Sequence, residues 1–147
     1  MEVIAKKIGS QAIIVSIPIN IYRGKLFHYN YINKHSEELS FNKLDRYSQF
    51  FSELMLIEYK NEGKKNAFNY EIINKFCKNN KKIKIIAFGG ISENKQVHKI
   101  IKNKQVAAVC IGNFLNYTEN SYQLYKEFLS TKKIKNIRPA SYKKNFV

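Results

Sequence analysis

Two turns in this sequence carry residue types that can hold a phosphate. Residues 83–90, IKIIAFGG, run from an apolar, β-branched stretch into Gly89 and Gly90. Residues 107–113, AAVCIGN, repeat the theme and end on Gly112 and Asn113. Glycines at the C-terminal end of a buried strand let a ligand approach the backbone closely. Ser92 then reads as a helix N-cap, ahead of Val97, Ile100 and Ile101 on one helical face. The first amides of such a helix lack partners, and its dipole favours an anion. The competing reading of Gly89-Gly90 is a tight turn that needs glycine for its own geometry. Gly90→Asp is the substitution expected to separate the two, by abolishing phosphate binding while leaving the fold.

Other candidates for chemistry are sparse. Glu58 and Glu62 follow a short apolar run, ELMLI. Glu58 is the better placed of the two for an inward-facing group, and Glu62 reads as a solvated loop residue. His28, His35 and His98 share no metal-ligand spacing. Cys77 and Cys110 sit in apolar contexts with neither metal nor redox spacing. No metal site and no cofactor are expected. Among the 10 tyrosines and 10 phenylalanines, only Phe27, Tyr29 and Tyr31 alternate as a base-stacking strand face requires. A hairpin packed on the rim of a domain explains them equally well.

These residues need elements to position them. Residues 2–8 read as the end of a helix stopped by Gly9. Strands are expected near residues 11–17, 53–57, 83–87 and 107–111, the first ended by Pro18. Residues 20–32 read as a hairpin turning at Arg23-Gly24. Helices are expected from Ser40, with Phe41, Leu44, Tyr47 and Phe51 inside, and after an Asn69 cap, with Ile72, Ile73, Phe76 and Cys77 inside. The Ser92 helix is the third. Thr118 is read as the cap of the last, with Tyr122, Tyr125, Phe128 and Leu129 inside. The expected domain spans residues 1–130, and residues 131–147 form a basic, extended tail. Buried strands alternating with amphipathic helices imply parallel strands joined by right-handed crossovers. The two glycine turns then close neighbouring strands, the third and fourth. In an eight-unit barrel the last two strand-to-helix loops commonly bind phosphate, and that coincidence favours the phosphate reading.

The totals narrow the class. A chain of 147 residues makes one domain with a real core. Lysines and asparagines interrupt every apolar run before it could cross a bilayer, so no membrane partner is expected. The start, MEVIAKKIGSQ, does not read as a secretory leader, and a reduced, cytoplasmic protein is expected. The net charge of +15 invites a nucleic-acid reading. Arginine, however, stands only at Arg23, Arg46 and Arg138, and the lysines are spread along the chain. That argues for solvated faces rather than a specific nucleic-acid interface.

The succession of segments resembles a known family, the cyclase subunit of imidazole glycerol phosphate synthase, a TIM barrel of histidine biosynthesis. GSQAIIVSI resembles its fifth strand, and YRGKLFHYNY the following hairpin arm. SELMLIEYKNEG resembles the sixth strand and loop, FNYEIINKF the next helix, IKIIAFGGIS the seventh strand, and VAAVCIGNFLNY the eighth. GNFLNYTENSYQLYKEFL and IRPASY are similar to a paralogous branch that makes acetamidino sugars for surface polysaccharide. The resemblance implies a (βα)4 half of a TIM barrel, with four parallel strands, alternating helices and a small hairpin after the first strand. It implies that Gly89, Gly90, Gly112 and Asn113 hold a substrate phosphate, and that Glu62-Gly63 belongs to a loop over the substrate. It also implies lyase or cyclase chemistry on a phosphorylated sugar–nucleotide, with ammonia from a glutamine amidotransferase subunit.

Two departures limit what carries over. The family's aspartate pair performs its proton transfers. One aspartate belongs to strands not present in this chain, and Pro18 occupies the position of the other. Phe88 stands where the family usually has a small hydroxyl residue. No catalytic residue is therefore assigned. A half barrel leaves two strand edges open, which implies either a first-half-barrel chain or a second copy of this chain as partner. The alternatives to an enzyme component are a non-catalytic phosphate-binding subunit or relic, and a basic nucleic-acid-binding module.

Overall fold

The computed structural model describes residues 1–117, 121–132, 134 and 137. Helix α1 (Glu2–Ile8) and a 3-10 turn lead into strand β1 (Ile14–Tyr22), followed by β2 (Lys25–Asn30) and β3 (His35–Glu38). Helix α2 (Phe41–Tyr47), β4 (Glu53–Ile57), α3 (Glu71–Asn79) and β5 (Lys84–Phe88) come next. Then come α4 (Asn94–Ile101), β6 (Val106–Val109) and α5 (Ser121–Thr131). One sheet runs in the order β3-β2-β1-β4-β5-β6. β1, β4, β5 and β6 are parallel neighbours, and β2 and β3 extend β1 as an antiparallel arm. Four parallel strands, each followed in the chain by a helix, make a (βα)4 half of a TIM barrel.

Strand alternation sorts the side chains onto two faces. Register places Val15 and Ile17 with Leu54 and Leu56, and these with Ile85 and Ala87. This face packs against Ile72, Ile73 and Phe76 of α3 and Val97 and Ile100 of α4, and holds the core. The opposite face carries Ile14, Ser16 and Pro18, then Met55 and Ile57, then Ile86 and Phe88. In a closed barrel it would line the interior. Here Ile14 is 52% exposed.

Several expectations shift. Pro18 does not end the first strand, which begins three residues late and continues to Tyr22. Over residues 14–18 β1 has a partner on the β4 side only, since β2 joins from Ile19. A missing N–H is tolerated at such an open edge. The hairpin does turn at Arg23-Gly24, both with positive φ. The arm continues into β3, whose polar HSEE pairs with β2. Helix α2 is capped by Ser40, whose hydroxyl accepts from the Lys43 amide, but it stops at Tyr47, short of Phe51. Asn69 is not the cap of α3; it sits one residue before the Tyr70 cap and accepts from the Glu71 amide. Of the last helix's expected inner residues, Leu129 is buried, Tyr125 and Phe128 are half-buried, and Tyr122 is 57% exposed. Thr118 and most of residues 131–147 lie outside the described residues.

Candidate phosphate site

β5 ends at Phe88 because the next two residues adopt backbone angles that side chains resist, φ 104° at Gly89 and φ 71° at Gly90. Both turn residues press against the β4–α3 connection. A Cβ on Gly89 would lie 2.7 Å from the Glu58 carbonyl oxygen, and one on Gly90 would lie 2.8 Å from that of Asn61. The Gly90 carbonyl accepts from the Ala67 and Phe68 amides at 2.8 and 3.1 Å. The glycines are therefore required by backbone packing, as the turn reading holds. This overturns the expectation for Gly90→Asp, because a side chain there strains the turn itself.

The phosphate reading has its own support. Gly89 and Gly90 are both buried, yet among the described residues neither amide has a hydrogen-bond acceptor. Amides with no protein acceptor on the wall of a cavity can donate to a bound group or to water. The two glycines border a cavity of about 200 Å³ at the C-terminal ends of β5 and β6. All six residues expected at the site line it: Glu62, Gly63, Gly89, Gly90, Gly112 and Asn113. Phe88 and Cys110 line it too, so the Phe88 ring takes up room there. Gly112 differs from the other two glycines. Its φ is not positive, and a Cβ would meet the Phe88 ring at an ordinary 3.5 Å. Its missing side chain leaves space without serving the backbone.

The start of α4 is not the anion site the sequence implies. Ser92 is not its cap; its hydroxyl instead accepts from the Asn66 amide at 2.8 Å. The cap is Glu93, in a reciprocal box with Gln96. Gln96 Oε1 takes the Ser92 and Glu93 amides at 3.0 and 3.4 Å. Those donors are spent, and a carboxylate already answers the dipole. An anion in the cavity is left with the glycine turns.

Glu58 does not face the barrel interior. It continues the helix-facing series of Leu54 and Leu56 and is buried. Its two oxygens accept from the Asn61 side-chain amide and the Asn69 backbone amide, both at 2.6 Å. Burial pushes its carboxyl above the ordinary 4.5, opposed by the Asn69 and Asn61 hydrogen bonds and the Lys64 charge. Its role is to pin residues 58–69 over the Gly89-Gly90 turn. The Asn61 amide also donates to the Ala67 carbonyl, in the same clamp. The clamp holds the loop that brings Glu62 and Gly63 to the cavity. The exposed Glu62 carboxylate repels an anion and suits a hydroxyl instead.

Pro18 lies midway along β1 on its barrel-facing side and offers no proton-transfer group. Burial pushes the Cys110 thiol up, which keeps it protonated and poorly nucleophilic. His35 pairs with Glu37 at 2.6 Å, and His98 lies edge-on to Phe128. No group of three metal-ligating side chains occurs among the described residues. Within them, no helix is long and apolar enough to cross a membrane. Tyr29 of the aromatic arm stacks on Tyr59 at 5.4 Å and meets Tyr31 edge-on, as a packed rim does.

The fold defines the molecule as a (βα)4 half of a TIM barrel, with the candidate cavity at the C-terminal ends of two neighbouring strands. A family model described as histidine biosynthesis protein matches residues 1–121, and the chain belongs to that family. No curated protein matches the chain.

Proposed function

We propose that this chain is the phosphate-holding half of a barrel like the cyclase subunit of imidazole glycerol phosphate synthase. Its ligand is a phosphorylated sugar–nucleotide, gripped at one end by the amides of Gly89, Gly90, Gly112 and Asn113. The observation that carries this reading is the pair of buried, acceptor-less glycine amides beside a cavity. At about 200 Å³ the cavity is smaller than the ~300–1,000 Å³ that encloses a whole drug-sized ligand. It suits one phosphate group rather than an entire nucleotide. In the lyase chemistry proposed here, a glutamine amidotransferase supplies ammonia, and carboxylates on another chain move the protons. The branch that builds acetamidino sugars is served by the same arrangement.

A second reading is that the chain binds but takes no part in catalysis. Pro18 and the committed Glu58 favour it, since neither can act as acid or base in the barrel. Calorimetric titration with ribose 5-phosphate, and with ribose as control, tests the shared part. Binding that requires the phosphate supports both readings. Turnover with ammonia once a first-half chain is added supports the first, and its absence supports the second. No phosphate-dependent binding defeats both.

A further inference from the structure

The lysines look evenly spread along the sequence, but the fold sorts them. The α3–β5 and α4–β6 connections lie together at the N-terminal ends of the parallel strands, opposite the glycine turns. They carry Lys78, Lys81, Lys82, Lys84, Lys102 and Lys104, all exposed. Among the described residues none of these is ion-paired. At the other strand end Lys60, Lys64, Lys65 and Lys95 are matched by Glu58, Glu62, Glu71 and Glu93. Two carboxylates adjoin the lysine-bearing connections, and both have partners already. Asp45 accepts from the Asn80 side-chain amide at 2.6 Å, and Glu53, beside Lys84 in register, accepts from the Ser52 hydroxyl. Helix C-termini favour cations, which accounts for Lys78 and Lys102 at the ends of α3 and α4. It does not account for the other four.

The two connections are tied to each other. Gln105 Nε2 donates to the Asn80 and Ile83 carbonyls at 2.7 and 2.8 Å, and Lys84 Nζ to the Lys104 carbonyl at 3.0 Å. Asn80 is buried, and its Oδ1 accepts from the Lys82 and Ile83 amides at 3.0 and 2.9 Å. Like charges are thus fixed side by side on one surface, where their summed field draws anions.

We infer that this face binds the phosphodiester backbone of nucleic acid without reading its sequence. A lysine ammonium is a point charge that takes a phosphate but offers no paired fork of donors to a base edge. None of the large apolar side chains exposed among the described residues belongs to either connection. Lysine is also depleted at protein–protein interfaces, which argues against an acidic protein as the partner. A row of phosphates meets the face charge for charge, whatever its bases. The inference is independent of the phosphate cavity, which lies at the opposite end of the strands.

Fluorescence anisotropy with a short labelled DNA duplex tests it. The triple variant Lys81→Gln, Lys82→Gln, Lys104→Gln removes three charges from the face. The triple variant Lys43→Gln, Lys60→Gln, Lys95→Gln removes three from exposed positions at the other end, so the two variants have the same net charge. The first is expected to bind at least about tenfold more weakly at ~0.1 M salt, with a salt slope shallower by about 3. The second is expected to stay within about twofold of wild type, since distant charges are screened. Circular dichroism of both is expected to match wild type, because every substituted side chain is exposed. Equal losses in the two variants mean diffuse attraction by net charge and overturn the inference. So does a wild type that leaves the duplex free, or one that prefers it over a scrambled sequence. Ribose 5-phosphate titration of the first variant reports the cavity separately.

Discussion

Gly112→Asp places a carboxylate in the glycine-lined cavity without straining the backbone. The new Cβ meets the Phe88 ring at 3.5 and 3.7 Å, ordinary contact distances. A carboxylate about 4 Å from a bound phosphate repels it by ~4 kcal/mol per pair of charges at an effective dielectric of about 20. Glu62 and Gly63 are exposed, so solvent reaches the cavity mouth and weakens this. Screening to ~2 kcal/mol corresponds to about 30-fold in Kd. Calorimetry with ribose 5-phosphate measures the loss, and thermal melting is expected to stay near wild type. Gly90→Ala is the contrasting control. Its left-handed φ of 71° costs a side chain ~1–2 kcal/mol, and the approach to the Asn61 carbonyl adds to that. It is therefore expected to lower the melting temperature. Equal binding by wild type and Gly112→Asp refutes the assignment of the cavity, whatever the control does.

Other perturbations follow from the same geometry. Phe88→Ser removes a half-buried ring from the cavity and adds a hydroxyl. One hydrogen bond to a charged phosphate is worth ~1.5–3 kcal/mol, so titration is expected to show at least about tenfold tighter binding, with a lower melting temperature. Unchanged affinity would mean that the ring does not border the ligand. Glu58 makes stability depend on pH. Its folded value is raised above 4.5, so the folded state holds the proton where the unfolded chain has lost it. Stability therefore falls as pH rises through the window just above 4.5, by at most ~1.4 kcal/mol per unit. Urea unfolding at a series of pH values is expected to show that slope in wild type and a flatter one in Glu58→Gln. Identical slopes would remove Glu58 as the cause.

The parallel strands were legible as compact apolar runs, although the first starts late and continues through its expected break at Pro18. ELMLI is found at the expected residues 53–57, and the β5 and β6 runs are displaced by one or two residues. The hairpin turn was legible from Arg23-Gly24. β3 was not, because His-Ser-Glu-Glu has no apolar alternation and forms only by pairing with β2. Ser92 is the stronger N-cap by type, but its hydroxyl is captured by an amide 26 residues earlier, a distant contact invisible to local reading. Gln96 supplies the second half of the capping-box signature, but a glutamate at the cap is outside its usual residue types, so the Glu93 box shows only in the folded chain. Glu58 could also have been placed by counting in twos from Leu54 and Leu56, which puts it with the helices. The hold of the 58–69 loop on the glycine turn depends on bonds from Ala67 and Phe68 to Gly90, and only the folded chain brings these together.

Whether the two glycine turns hold a phosphate is read by amide-resolved NMR of the labelled chain titrated with ribose 5-phosphate. Saturable shifts concentrated at Gly89, Gly90, Gly112 and Asn113 are expected. Shifts scattered over the lysine-rich surface that fade with added salt, or none at these four amides, would contradict the phosphate site.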